Sequence, residues 1–217
     1  MGIYLGLYAV SDATIERLHA DPPLAWRLLD PERPELEAKA RADRQPRPGL
    51  MARLFRGAKP EPIPVPPPLQ LAPGEGDLGA DGDFEKSWHG LHYLLTGTAD
   101  EGEPPFNFLM GGGRELELED GETPLLTHTG AETRRIAEAL AGVREEELRR
   151  RLDPREMTEL EIYPGGWDDP QHAGLLIEDA LRLRETVAAV ANRGLGLLVS
   201  ISSARAPRPA PRRRLSP

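Results

Sequence analysis

With 217 residues the chain has room for one domain whose core stands unaided, and with no cysteine it excludes a thiol nucleophile, a thiolate metal site and any disulfide framework. Its formal charge of -9 is uneven: residues 204–217 hold five arginines and no acid, which leaves 22 basic against 36 acidic residues, or -14, for the rest. Such an acidic body repels nucleic acid and anionic membranes and favours a basic protein partner.

Gly2 to Val10, GIYLGLYAV, is apolar and too short for a buried helix, which predicts a strand. It has no basic n-region, and no apolar run in the chain approaches the ~20 residues that span a bilayer, so the expectation is a soluble cytoplasmic protein. Ser11 caps a helix over about 12–19, with His19 placed as a partner for the C-terminal dipole. Asp21 before Pro22 opens a second helix through about Leu29, with Trp26 in the core. The pattern then dissolves. Residues 31–49 are charged and unperiodic, GLMARLFRG fits one amphipathic helix turned on Leu50, Met51, Leu54 and Phe55, and prolines at alternate positions from Pro60 to Pro66 favour extended polyproline geometry. Residues 31–80 therefore read as an insertion or variable region, a spacer in preference to a docking motif for a proline-binding partner.

The most informative stretch is FEKSWHGLHYLLTG, from Phe84 to Gly97. At helical period Phe84, Trp88, Leu91 and Leu95 share a core face, and Glu85, His89, His92 and Thr96 form a polar stripe beside it. Gly90 in mid-helix implies a close neighbour, and Gly97 ends the helix. PFNFLM, from Pro105 to Met110, reads as a strand entering Gly111–Gly113. The three glycines match no phosphate-binding loop and are read as a tight turn. Residues 114–119 alternate as a short strand with Leu116 and Leu118 inward.

Thr129 and Glu132 form a capping box for a helix that buries Ile136 and Leu140 and continues through the charged VREEELRRRL. Asp153 with Pro154, and Asp168 and Asp169 with Pro170, mark two further helix starts. Between them Tyr163 and Trp167 flank a Pro-Gly-Gly turn. The helix from about 170 to 193 buries Leu176, Ala180, Leu183, Val187 and Val190, and residues 195–202 are a terminal strand. The tail beyond has nothing to bury.

The fold class is therefore α/β (α+β), a single mixed domain over residues 1–203, whose small sheet contains the N- and C-terminal strands under several helices. The blocks MGIYLGLYAVSDATIERL, WHGLHYLLTG and DPREMTELEIYPGGW, followed by a long helix and an apolar strand, resemble the YfbM-like family of bacterial proteins of unknown function. The resemblance implies that fold and a bacterial cytoplasmic setting. It implies no reaction, cofactor or catalytic residue.

The candidate cleft comprises Glu85, Trp88, His89, His92, Thr96, Tyr163 and Trp167. A metal on His89 and His92 would need a third ligand from Asp168, Asp169, His128 or His172, and the pair lacks HExxH, so neither metal nor cofactor is expected. His92 is expected at the core edge, donating to a backbone carbonyl in preference to acid/base work. No GxSxG elbow is present. The sequence thus favours a non-catalytic binding protein, with an immunity-like role of masking a basic partner; the alternative is a small-molecule-binding protein or hydrolase built on His89 and His92.

Overall fold

The structure is a computed structural model that describes residues 2–30, 69–118 and 125–202. Strands β1 (Tyr4–Val10), β2 (Gly76–Asp77), β3 (Asp83–Glu85), β4 (Arg114–Leu116), β5 (Leu125–His128) and β6 (Gly196–Ser202) form one antiparallel sheet. Its order is β2-β1-β6-β5-β4, with β3 also on β1. The two terminal strands pair along their whole length, from Tyr4 opposite Ser202 to Val10 opposite Gly196. Alternation along them divides the faces. Leu5, Leu7, Ala9, Leu197 and Val199 enter the main core, while Tyr8, Val10 and Leu198 are buried on the opposite side.

Among the described residues there are seven α-helices: α1 (Asp12–Ala20), α2 (Trp26–Leu29), α3 (Trp88–Thr96), α4 (Gly130–Ala141), α5 (Glu145–Arg151), α6 (Pro154–Glu159) and α7 (Pro170–Asn192). The spine is α7, which packs on α3, α4 and α5 and buries Leu176, Ile177, Leu183, Val187 and Val190. Local chemistry fixes the helix starts. Ser11 accepts from Thr14 N, Thr129 and Glu132 complete a capping box, and the carboxylates of Asp153 and Asp169 accept from the first N–H groups of α6 and α7. Each satisfies a donor that the helix cannot.

The chain divides into two units, one of residues 1–23 and 71–217, the other of residues 24–70. In the second, the described helix α2 leaves Trp26 half-buried, short of the core position that its size suggests. The amphipathic segment at Leu50–Phe55, the polyproline stretch and the tail lie outside the described residues. Residues 71–80, read from the sequence as part of the variable region, belong to the first unit. There the Glu75 carboxylate accepts from Ser11 N at 2.6 Å and from the Thr14 hydroxyl at 2.8 Å.

Three expectations are corrected. Helix α3 begins at Trp88, because Phe84 and Glu85 belong to β3, where Glu85 stands opposite Leu5; Glu85 turns the chain with φ 45°. Pro105–Met110 is a run of turns, in which Phe106 N donates to Glu103 O and both Met110 N and Gly111 N donate to Asn107 O. The adjacent Phe108 and Leu109 are both buried, where the alternation of a strand with one solvent face would expose one of them. The charged helix after α4 is a separate element, since Gly142 to Arg144 interrupts it.

Candidate functional site

Helix α3 carries its histidines inward. His89 is 8% exposed, its Nε2–H donates to Ala99 O at 3.0 Å and its Nδ1 accepts from Tyr163 N at 3.0 Å. The ring stacks on Trp88, centroids 4.7 Å apart and 8° from parallel, and Trp88 in turn faces Tyr163 at 6.0 Å. Burial holds the imidazole below its usual pKa, against a smaller opposing pull from the bond to Ala99 and from Asp100. His89 is thus a neutral ring with both nitrogens committed to backbone. His92 is fully buried and donates Nε2–H to Glu101 O at 2.8 Å. Its pKa is also lowered, first by burial, and its Nδ1 has no partner among the described residues.

The other predicted residues divide. Trp167 is buried, donates Nε1–H to Ile162 O at 2.8 Å, and lies where a Cβ on Gly90 would meet it at 2.9 Å. Tyr163 accepts from Ile3 N through its hydroxyl at 3.1 Å. Thr96 donates to His92 O at 2.8 Å and accepts from Thr98 N. Glu85 is exposed on β3 and does not share the helix with the histidines. The structure therefore joins Trp88, His89, Tyr163 and Trp167 as a clamp that fixes the 98–101 and 162–167 loops on α3. A small cavity of about 120 Å³ borders it, lined by Lys86, Ser87, Pro164, Trp167 and His172 among others. Among the described residues, no group of three or more His, Cys, Asp or Glu is arranged to hold a metal.

A larger cavity, about 300 Å³, lies elsewhere, between the 104–112 turns and the first turns of α4. Its wall includes Phe108, His128, Glu132, Arg135 and Ile136. His128, 1% exposed, donates Nε2–H to Phe108 O at 2.9 Å and meets the Phe108 ring edge-on. Gly113 has no room for a side chain, since a Cβ would stand 2.7 Å from the His128 ring. Glu132 accepts from Thr129 N and from its hydroxyl through Oε2. Burial alone would raise the Glu132 pKa, but the Thr129 bonds, with His128 and Arg135 nearby, bring it below the usual carboxylate value. The sequence marks these residues only singly, Gly113 in a glycine turn, Glu132 in a helix cap and His128 as one candidate third ligand for a metal on His89 and His92. Nothing local shows that they meet.

A model of the family described as a domain of unknown function, DUF1877, matches residues 1–200. The chain belongs to the DUF1877 family. No relative was found among curated proteins. Among solved structures, the DUF1877 chain is similar to YfbM from Escherichia coli, described as a protein of unknown function, with 18% sequence identity and a TM-score of 0.56. The similarity covers 93% of this chain and 99% of that one. The likeness is one of fold, and it agrees with the YfbM-like resemblance of the WHGLHYLLTG and DPREMTELEIYPGGW blocks. Within the DUF1877 fold those two blocks meet, through the bond from Tyr163 N to His89 and the approach of Trp167 to Gly90.

Proposed function

We propose that this DUF1877 protein is a non-catalytic binding protein of the bacterial cytoplasm, which masks a basic protein partner in an immunity-like role. One observation carries the reading. Over residues 98–118 every acidic side chain, Asp100, Glu101, Glu103, Glu115 and Glu117, is exposed, and the one base in that stretch, Arg114, already faces Glu16 at 3.3 Å. Exposed charge of one sign steers an oppositely charged partner and raises its rate of encounter. Glu115 and Glu117 stand on and beside β4, an end strand in the sheet order, where outward charge also discourages pairing with the wrong chain. The alternative of a hydrolase on His89 and His92 loses support, because His89 has no nitrogen left to take a proton or a ligand.

The test is capture from a lysate of the native host at low and moderate salt, followed by the mass of the complex. The expected result is one basic protein in fixed ratio, released by salt and not retained by the doubly reversed variant Glu115→Lys, Glu117→Lys. Retention that ignores both salt and charge reversal would overturn the proposal.

A further inference from the structure

The cavity under the first turns of α4 has a chemistry of its own, independent of the acidic surface. Its wall places a carboxylate and a guanidinium one turn apart, since Glu132 and Arg135 stand at i and i+3 on α4 and both line the space. Glu132 uses Oε2 for both capping bonds, which leaves Oε1 able to accept from a ligand. The carboxyl group is held ionised at neutral pH by those bonds and by its cationic neighbour. Phe108, Ile136 and the Pro104–Pro105 pair supply apolar surface, and Oδ1 of Asn107, in the same wall, is buried without a partner among the described residues. A volume of about 300 Å³ is at the lower end of small-ligand sites.

A simple cation entering this space would be repelled by Arg135, and a simple anion by Glu132. A dipolar molecule with both charges close together satisfies the two at once. We propose that the cavity binds a free amino acid. The ammonium donates to Glu132, the carboxylate accepts from Arg135, and the side chain lies against Phe108, Ile136 and the proline pair. An apolar or aromatic side chain suits that lining better than a charged one.

The experiment is calorimetric titration of the full-length protein with each of the standard amino acids at millimolar concentration. At least one with an apolar or aromatic side chain is expected to bind with submillimolar affinity. The N-acetyl and methyl-ester forms of that same amino acid, each lacking one charge, are expected to bind at least about tenfold more weakly. Glu132→Gln keeps a capping-box residue while removing the charge, and Arg135→Gln alters an exposed position; each is expected to cause a similar loss of binding while cooperative thermal melting shows that the protein is still folded. Absence of binding by every amino acid would overturn the proposal. So would equal binding of the blocked forms, which needs no variant at all.

Discussion

The histidines of α3 are structural members, and their removal has a definite cost. His89→Ala leaves Ala99 O and Tyr163 N without their buried partner. At about 1–3 kcal/mol for each of the two stranded groups, a loss of about 2–6 kcal/mol is expected in urea denaturation. A side chain that served only a ligand would leave the midpoint unchanged. The same burial gives a pH dependence whose sign is fixed. His89, His92 and His128 all have folded-state pKa values below the unfolded value of about 6.5, each chiefly through burial. The unfolded chain therefore binds protons that the folded chain refuses. Their contribution is complete above about pH 6.5 and is lost as pH falls from there through the lowered folded values. The capping carboxylate of Glu132, also lowered, adds its own loss only in the more acidic carboxylate range. Thermal melting followed from pH 8 to pH 5 should fall below about pH 6.5, and a flat profile would contradict neutral, buried histidines.

At the level of elements, the close meeting of α1, β5 and β6 rests on Gly196. A Cβ there would run into the His128 carbonyl of the neighbouring strand, with the Ile15 side chain of α1 also within 2.9 Å. Backbone cannot step aside as a side-chain end can, so Gly196→Ala is expected to destabilise by about 1–3 kcal/mol or more in the same assay, against about 1 kcal/mol for the loss of the Thr129 cap in Thr129→Ala. The helix caps were legible in the sequence because the bonds that make them span only two or three residues. The buried face of α7 was equally legible, since 23 residues give the helical period room to repeat. The start of α3 was not, because Phe84 lies four residues before Trp88 and continues the helical spacing by coincidence while its backbone pairs with β1. Strand β5 was also missed: four residues give too short an alternation, and it is defined by its place between β4 and β6. The histidine stripe was visible as a pattern. Its satisfaction by Ala99, Glu101 and Tyr163 depends on loops whose paths no local pattern sets.

For the whole molecule, the features that specify the fold and those proposed to face a partner are separate. The terminal strands, α7 and the clamp on α3 bury apolar and neutral polar groups, while Glu115 and Glu117, on and beside β4, are exposed. An interaction carried by exposed charge must weaken as salt shortens its range, which is about 8 Å at physiological ionic strength. The most direct measurement is the dissociation constant of the captured complex across a series of salt concentrations, made in parallel on the native chain and on the Glu115→Lys, Glu117→Lys variant. Affinity is expected to fall steadily with salt for the native chain, and to be weaker with a shallower salt dependence for the variant. An affinity indifferent to ionic strength and to both substitutions would contradict the proposal.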